Sequence, residues 1–406
     1  MTRLPRKLRI LLLSLALGGG LLVPAGREVR GATDGRDYAS FHYAVRLWAD
    51  GGDPYDGAAL TQRAREDGRR GRVYPFFYPP PALPMLAWTL PVSLRMGHGI
   101  MAMVNLASLI GLGLLLARWL RMPMWLPVLL LATSSGAIET ARLGQVNGVI
   151  ALLVGLAASR SRGVPVAVAA LLKMSPAVLL LRFLAARSWR PLLAGLGVGL
   201  GALVLSVGIA GVECSMRFFR DVLPGLSDGG WNGLGIPLDF RANHSLAGML
   251  NAAFPGPDDV TLSQTARRFG IGLTASGFLA LAWLGRRRFD PLGEALLWGA
   301  LSALVVITPV YAWEHHHVLL LLPMVATGQA LREGRLPRWC WSLFLLCWVI
   351  WAWRLPWWRA AWRSWPALRP LVEESKLLLP LILLGLGSWG AARSPGDRDG
   401  PGVRSA

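Results

Sequence analysis

Charged residues are scarce in this sequence. Of its 406 residues only 16% are Asp, Glu, Lys or Arg, whereas 53% are hydrophobic and the mean hydropathy is +0.44. A soluble domain of this length needs a more polar surface, so the composition excludes a soluble globular protein. Apolar runs of roughly 17 to 25 residues, enough to cross a hydrocarbon core, recur along the whole chain. We therefore expect an integral membrane protein.

Cysteine is nearly absent as well. The three cysteines, Cys214, Cys340 and Cys347, are scattered and show no C-x-x-C spacing. This pattern indicates neither a disulfide framework nor a thiolate metal site. Cysteine therefore supports no functional assignment.

Acidic residues are outnumbered by basic ones, 23 to 42, and the net charge is +19. In a soluble protein such a charge suggests a nucleic-acid partner. Here most of the excess lies in short loops between apolar runs, and these loops contain almost no acids. That asymmetry marks the cytoplasmic face of a membrane protein, so no nucleic-acid partner is expected. The basic loops are 118–121, 160–162, 187–190, 286–288 and 332–338.

The apolar runs predict an all-α fold, a polytopic transmembrane bundle with its N-terminus in the cytoplasm. The first run follows a basic segment, as in a secretory signal, but membrane segments continue to the end and favour an uncleaved span. Ten spans are predicted at 9–23, 99–117, 123–138, 144–158, 191–210, 268–285, 293–309, 317–331, 338–353 and 376–391.

Two further stretches are ambiguous. Residues 79–94 are broken by prolines, and residues 164–184 are interrupted by Lys173 and Pro176. Either stretch is a candidate broken or re-entrant element whose backbone faces protein or a water-filled cavity. The count is then about ten to twelve spans. We expect one transmembrane domain over residues 1–393 and a disordered cytoplasmic tail at 394–406.

Two long segments between spans mix acids and bases, and we place them outside the membrane. The first extracytoplasmic loop, 24–78, is a candidate functional loop because of its length. Within it, Tyr38–Trp48 is predicted to form a helix along the membrane surface. The second outer loop, 211–267, carries Gly, Pro and Asp clusters and is predicted to be irregular.

Polar and ionisable residues at the ends of the predicted spans share the outer side. Such groups are costly at membrane depth and usually serve function. Six separated segments supply them, which predicts a single polar cavity on that side. The residues are Asp37, His42, 74–81, Arg142, Gln145, Asn147, Lys173, Asn243, His244 and 313–317.

Several of these residues also have a structural interpretation. From composition alone, Asp37 is a solvated loop carboxylate. Lys173 either snorkels to the interface or meets an anion beside a broken helix. Arg142 is either a plain loop arginine or a cation suited to phosphate oxygens. Residue type alone leaves these alternatives open.

Three consecutive histidines, His315, His316 and His317, suggest a zinc site, because imidazole is the commonest metal ligand. Adjacent helical residues diverge by about 100°, however, and chelating pairs favour i, i+3 or i+4 spacing. We therefore expect polar or catalytic histidines and no metal site.

An ordered set of short motifs covers residues from about 37 to 320. The motifs are Asp37-Tyr-Ala-Ser-Phe-His-Tyr43, Gly52-Asp-Pro-Tyr-Asp56, Phe77-Tyr-Pro-Pro-Pro81, Gly144-Gln-Val-Asn147, Lys173-Met-Ser-Pro176, Asn243-His-Ser-Leu246 and Pro309-Val-Tyr-Ala-Trp-Glu-His-His316. Together they resemble glycosyltransferase family 87 of the GT-C superfamily, the group that contains polyprenyl-phosphate-mannose-dependent bacterial alpha-1,2-mannosyltransferases. Each motif is weak alone, but the order of the set is fairly specific.

The resemblance implies a multi-pass enzyme of the bacterial cytoplasmic membrane with its active site facing outside. Such an enzyme moves a sugar, usually mannose, from a polyprenyl-phosphate donor to an acceptor hydroxyl. The family's general base falls on Asp37, and a histidine near the reacting groups falls on His315 or His316. Two departures, His244 in place of a frequent Gln and His317 in place of a frequent aromatic residue, bear on donor or acceptor preference.

The expected chemistry agrees with the residues. Displacing a polyprenyl phosphate needs a base near the acceptor hydroxyl, for which Asp37 is the candidate. It also needs positive charge near the phosphate, for which Arg142 and Lys173 are candidates, so we expect no metal or other cofactor. Tyr78 and Pro79 belong to the loop motif. The residues expected to bind the donor phosphate or sugar are Arg142, Gln145, Asn147, Lys173, Asn243, His244 and Trp313.

A lipid or glycolipid transporter or flippase is the alternative from a different class. It also has many spans, broken helices and buried polar groups. An inverted-repeat transporter should contain a second copy of the break at Lys173, and the sequence shows no clear copy. We therefore favour the enzyme, with membrane lipid, the polyprenyl-phosphate sugar and a glycolipid or glycan acceptor as its partners.

Overall fold

In the computed structural model, which describes residues 35–240, 242–352 and 375–394, all regular secondary structure is helical. The predicted all-α class is confirmed for these residues. The first predicted span, 9–23, and the predicted tail from residue 395 onward lie outside the described residues.

The described part of the predicted first extracytoplasmic loop, residues 35–78, is called the first outer segment below. It contains two helices, α1 (Arg36–Ala49) and α2 (Gly57–Glu66). α1 agrees with the helix predicted over Tyr38–Trp48. Every residue from Tyr38 to Val45 is buried, so α1 packs into the protein on most of its surface. The Asp56 carboxylate caps α2 by accepting hydrogen bonds from the backbone N–H groups of residues 58 and 59.

The proline-rich stretch that follows is not a continuous helix. It contains only α3 (Ala82–Met85) and a single 3₁₀ turn (Ala87–Thr89). Three consecutive prolines, Pro79–Pro81, supply no backbone N–H and so cannot continue a helical hydrogen-bond ladder. The ambiguity over residues 79–94 is thus resolved in favour of a broken segment.

In the part of the chain that the structure describes, two helices are long and apolar enough to cross a membrane, α4 (Leu94–Trp119) and α10 (Trp189–Ala210). α10 presents large apolar side chains outward, among them Leu200, Val204 and Leu205 at 61–71% exposure. A continuous apolar face of this kind is unfavourable in water and suits contact with lipid. Five shorter apolar helices of 10–17 residues accompany them, and the count of ten to twelve spans stays a prediction.

The span predicted at 123–138 is divided in the structure. It forms α5 (Trp125–Ala132) and α6 (Ser135–Leu143), because Ser134 adopts an extended conformation and caps α6 through its hydroxyl. Gly144, in the left-handed region at φ 70°, then ends α6 before α7 (Asn147–Arg160) begins. Three polar residues, Arg142, Gln145 and Asn147, lie at this turn and the adjoining helix ends.

The predicted break at Lys173 is confirmed. α8 (Val164–Leu172) ends there with Lys173 in an extended conformation, and a 3₁₀ helix (Ser175–Leu180) leads into α9 (Leu181–Ala185). Pro176 lies at the start of the 3₁₀ helix, where its missing N–H costs little.

The second outer segment is partly helical, which differs from the irregular structure predicted for it. After α10 come α11 (Val212–Arg217), a π-helical turn (Phe218–Val222), the short α12 (Leu223–Gly225) and a 3₁₀ turn (Trp231–Gly233). The irregular residues 234–240 and 242–245 precede α13 (Leu246–Ala253). The predicted Gly, Pro and Asp clusters fall in its turns.

The rest of the described chain surrounds one buried helix, α15 (Pro291–Ile307), which packs most extensively against the last helix. A buried ion pair between Arg182 and Glu294, 2.6 Å apart, joins α9 to α15. The remaining helices are α14 (Gln264–Leu284), a 3₁₀ helix (Glu314–Leu320), α16 (Leu321–Arg332), α17 (Cys340–Ala352) and α18 (Ser375–Ala392).

Candidate active site

A cavity of about 580 Å³ opens where the two outer segments meet the broken helices. Its size is in the range of small-molecule sites, roughly 300–1,000 Å³. The N-terminus of α1, the end of α6, the break at Lys173 and the start of the 314–320 helix form its polar part. The polar residues that line it include Asp37, Ser40, Tyr74, Tyr78, Glu139, Arg142, Gln145, Lys173, Glu314, His315 and His316.

Asp37 lies at the start of α1, where its carboxylate accepts a hydrogen bond of 2.5 Å from the Gln145 side-chain amide. The Gln145 carbonyl in turn accepts a hydrogen bond of 2.9 Å from the Tyr78 hydroxyl. Gln145 is 4% exposed, and this pair of hydrogen bonds fixes which end of its amide faces Asp37. The chain of three side chains holds the Asp37 carboxylate in one orientation.

Gly144 permits this arrangement. A Cβ atom at that position would lie 2.5 Å from the Tyr38 Cβ, in addition to the strain of its positive φ. The turn after α6 can therefore approach α1 only because residue 144 has no side chain. This close approach brings Gln145 to Asp37.

Burial raises the pKa of the Asp37 carboxyl above its ordinary value of 3.8. The hydrogen bond from Gln145 and the positive charges of Lys173 and Arg142 oppose this rise without cancelling it. A carboxylate with a raised pKa is a better proton acceptor near neutral pH than an ordinary aspartate. The site therefore contains a positioned candidate base.

Lys173 enters the cavity from the break between α8 and the following 3₁₀ helix. Its Nζ lies 2.6 Å from His316 Nε2 and 3.4 Å from Asn147 Oδ1. His316 Nδ1 accepts a hydrogen bond from the Trp313 backbone N–H at 3.2 Å. Asn147, which is 1% exposed, also donates to the His315 carbonyl at 3.1 Å. These contacts fix Lys173, the His316 imidazole and the backbone of His315 at one end of the cavity.

Arg142 supplies a second cation. Its guanidinium pairs with Glu139, three residues earlier on α6, at 2.7 and 2.8 Å, and both residues line the cavity. An arginine fork of this kind is suited to phosphate oxygens.

Aromatic side chains form a second part of the cavity lining, called the aromatic wall below. Trp231 makes edge contacts with Phe77 and Tyr311 at centroid distances of 5.0 and 5.1 Å. Tyr311 stacks on Trp313 at 5.4 Å, and Phe240 lies 6.0 Å from Trp313. Phe240 is 45% exposed beside the cavity. A wall of this composition suits the apolar faces of sugar rings.

The three histidines diverge, as the spacing predicts. His315 and His316 line the cavity, whereas the His317 ring lies behind it, 5.7 Å from the ring of His244. Both His244 and His317 are at most 1% exposed. His317 therefore does not join its neighbours in a shared metal site.

Other predicted site residues also lie behind the cavity wall. Asn243 donates to the carbonyls of Leu238 and Val310 and accepts from the Ala312 N–H, which fastens the second outer segment to the residues before Trp313. Pro79 is buried in the loop below Tyr78. The direct donor-binding role predicted for Asn243 and His244 stays a prediction.

The sequence reasoning did not select several residues that line the cavity. One is an acid, Glu139, which lies at the outer end of a predicted span beside residues that were selected. Another acid of the cavity, Glu314, was selected only as part of 313–317 and was given no role. The others are aromatic, and their sequence signal is weak because Trp and Phe are frequent in membrane proteins for other reasons. These are Trp231 and Phe240, whereas Tyr74 and Phe77 were selected only as part of 74–81 and were given no role.

The site is a partly buried, positioned carboxylate that shares a large cavity with basic side chains, an arrangement suited to group transfer. The model of glycosyltransferase family 87 matches residues 76–309, more than half of the chain. The chain therefore belongs to glycosyltransferase family 87 and is a glycosyltransferase. The transporter alternative is set aside on this finding.

One curated relative indicates the activity found within the family. It is the polyprenol-phosphate-mannose-dependent alpha-(1-2)-phosphatidylinositol pentamannoside mannosyltransferase of Mycolicibacterium smegmatis, which is 29% identical over 338 residues. The match covers 78% of this chain and 77% of the relative. No solved structure matches the chain.

Proposed function

We propose that this protein transfers mannose from a polyprenyl-phosphate donor to a hydroxyl group of a glycolipid or glycan acceptor. Family membership supports sugar transfer, and the printed name of the mycobacterial relative supports the lipid-phosphate donor and a glycolipid acceptor. The observation that carries the proposal is one cavity that holds both the Asp37–Gln145–Tyr78 chain and the Lys173–His316 pair.

In this mechanism Asp37 is the general base. It accepts the proton of the acceptor hydroxyl while the acceptor oxygen forms a bond to the anomeric carbon of mannose. The bond between that carbon and the phosphate oxygen breaks, and polyprenyl phosphate leaves with the electron pair. General-base assistance of this kind contributes roughly 10²–10⁴-fold to rate.

The leaving phosphate gains negative charge as the bond breaks. Lys173 and Arg142 place positive charge at the cavity, and His316 adds a polar ring nitrogen beside Lys173. Fixed charges of this kind stabilise a developing anion more strongly in a water-poor site than in bulk water. The proposal therefore includes no metal ion or organic cofactor.

We also propose that the protein crosses a bacterial membrane several times and that the cavity lies on the extracytoplasmic side. The charge pattern supports this orientation, because the basic, acid-poor loops lie at the opposite ends of the predicted spans. The lipid-facing apolar side chains of α10 support insertion.

The test is transfer of labelled mannose by the purified full-length protein in lipid nanodiscs. We expect product with polyprenyl-phosphate mannose and a mannosylated glycolipid, and none when a nucleotide-activated mannose replaces the lipid donor. Transfer from the nucleotide sugar but not from the lipid donor would contradict the proposal. An unmannosylated lipid serves as the acceptor control.

A further inference from the structure

One of the carboxylates that line the cavity is paired with a buried lysine that lies outside the cavity. Lys376, near the start of α18, is 2% exposed. Its ammonium donates to Ser135 Oγ at 2.8 Å and to the Ile350 carbonyl at 2.8 Å, and it lies 3.0 Å from Glu314 Oε1. An ammonium group is costly to bury unless it is paired and hydrogen-bonded, and this one is both.

The contacts of Lys376 join four separate elements. Ser135 begins α6, Ile350 lies in α17, Glu314 begins the 314–320 helix, and Lys376 itself belongs to α18. Ser135 is further fixed because its hydroxyl donates to the Trp351 carbonyl at 2.8 Å. The position of the Glu314 carboxylate is thus set from the rear of the cavity by the last helix.

The backbone of α6 packs directly against this segment. A Cβ atom at Gly136 would lie 2.9 Å from the Glu314 carbonyl oxygen and 3.0 Å from the Val318 nitrogen. The absence of a side chain at Gly136 therefore allows α6 to lie against the first turn of the 314–320 helix. This contact brings Ser135 and Glu314 to the same ammonium group.

Glu314 faces the cavity, and Lys376 does not. Glu314 lines the cavity with its side chain 12% exposed. Its neighbours along the chain are Trp313 and His315, and His316 contacts Lys173. Glu314 thus lies beside the cationic end of the cavity, where the mechanism above requires the donor phosphate.

A carboxylate in that place repels phosphate and accepts hydrogen bonds from hydroxyl groups. Glu139, the other acid of the cavity, differs because its partner is the cavity residue Arg142. The partner of Glu314 comes from outside the cavity, so Glu314 is held without occupying a cation that the phosphate needs. The hydroxyl-rich part of the donor, its sugar, is the matching ligand.

Resting on the function proposed above, we propose that Glu314 binds hydroxyl groups of the donor's hexose and that Lys376 is the positioning residue that holds its carboxylate. The carboxylate distinguishes the sugar-bearing lipid from the product lipid, which keeps the phosphate but has lost the sugar. Neither residue takes part in bond making or breaking.

Binding of two lipids in nanodiscs tests this inference without any turnover. The probes are polyprenyl-phosphate mannose and sugar-free polyprenyl phosphate, measured by titration calorimetry on the full chain. For Glu314→Gln we expect the mannosylated lipid to bind about tenfold more weakly, since about 1.4 kcal/mol corresponds to tenfold. Binding of the sugar-free lipid should not weaken, because the carboxylate repels its phosphate and makes no contact with a sugar there.

Lys376→Met should weaken the mannosylated lipid to the same extent, and the double variant Glu314→Gln/Lys376→Met should be no weaker than either single one, since the two residues act together. A purely structural role for Lys376 would instead weaken both lipids and add to the Glu314 effect. Where Lys376→Met does not fold, Lys376→Arg, which keeps the charge but changes its reach, serves with thermal unfolding as a control.

Glu139→Gln supplies a matched contrast, because it removes the partner of Arg142 and should change the binding of both lipids by the same factor, since both carry the phosphate. Equal loss of both lipids in Glu314→Gln, or no loss of either, would overturn the inference. So would a wild-type protein that binds the two lipids equally. These results are separate from failure of the proposed function, which would appear as absent mannose transfer by the wild type.

Discussion

The two walls of the cavity are held in different ways. On the polar wall, side chains hold side chains, as in the Asp37–Gln145–Tyr78 chain and the Lys173–His316 contact. On the aromatic wall, rings pack on rings, and a few side chains bond to backbone carbonyls. Asn232, for example, donates to the carbonyls of residues 55 and 76 at 2.7 and 3.1 Å.

This difference separates chemistry from recognition. Hydrogen-bonded charges have strict geometry, so the polar wall can orient a base and a leaving group. Ring packing tolerates small shifts, so the aromatic wall can accept sugar rings in more than one setting. Substitutions on the polar wall should therefore reduce turnover, and substitutions on the aromatic wall should weaken binding of the acceptor.

The largest effect is expected from Asp37→Asn. Loss of the base should lower kcat by about 10²–10⁴-fold, because the amide cannot accept the hydroxyl proton. The measurement is single-turnover mannose transfer at saturating donor and acceptor. Asp50→Asn is the control, because Asp50 lies at the end of the same helix in an exposed pair with Arg63. Transfer by Asp37→Asn at the wild-type rate would show that the base lies elsewhere.

Lys173→Met should have the next largest effect. Removing a fixed positive charge from the developing phosphate should lower kcat/KM for the donor by about 10²-fold, by analogy with the loss of one oxyanion donor. Arg118→Met is the comparison variant, because Arg118 is an exposed cation in the last turn of α4, away from the cavity. A change confined to the KM of the acceptor would show that Lys173 acts on the acceptor and not on the donor phosphate.

The acidic limb of the pH–rate profile gives a third test. Asp37 must be deprotonated to act, and burial raises its pKa, so kcat/KM should fall as the pH is lowered through a value above 3.8. Gln145 lowers that pKa by its hydrogen bond, so Gln145→Leu should move the limb to still higher pH. If the acidic limb lies at the same pH in this variant as in the wild type, it does not report the titration of Asp37.

A smaller effect is expected on the aromatic wall. Phe240→Ala should raise the KM of the acceptor about 2–10-fold with little change in kcat, which corresponds to the roughly 0.5–1.5 kcal/mol of an aromatic contact. Phe254→Ala is the matched control, because Phe254 belongs to the same outer segment and stacks on Phe269 away from the cavity. If KM rises instead for the donor, and rises more for longer isoprenoid chains, the wall binds the lipid.

The smallest effect is expected from metal removal. Transfer after dialysis against EDTA should match transfer before it, since lysine and arginine supply the charge at the leaving group. Activity that is lost in EDTA and restored by a divalent ion would show that a metal supplies that charge. The chemistry would then not depend on the side chains of the polar wall alone.

Parts of this site follow from the sequence through local rules. The break at Lys173 was predictable because an ionisable residue and a proline interrupt an apolar run. That Asp37, Arg142 and His315 line one cavity followed from their predicted place on the same side of the membrane, which was argued from the charge of the loops. Both arguments use only neighbours along the chain.

The pairing of side chains was not predictable in this way. Gln145 meets Asp37 across 108 positions, and Lys376 meets Ser135 across 241. Helical periodicity tells which face of a helix is apolar, but not which other helix covers it. The division of the 123–138 run at Ser134 was missed because a serine cap is a short-range signal inside a continuous apolar stretch.

Gly144 sets how far this enzyme can change by mutation. Because a single methyl group there would fall 2.5 Å from Tyr38, an alanine forces α1 and the turn apart. The base would then lose its partner without either residue having been altered. Redesign of the enzyme for new acceptors can therefore vary the residues of the aromatic wall. Position 144, which lets the turn of the polar wall approach α1, must remain glycine.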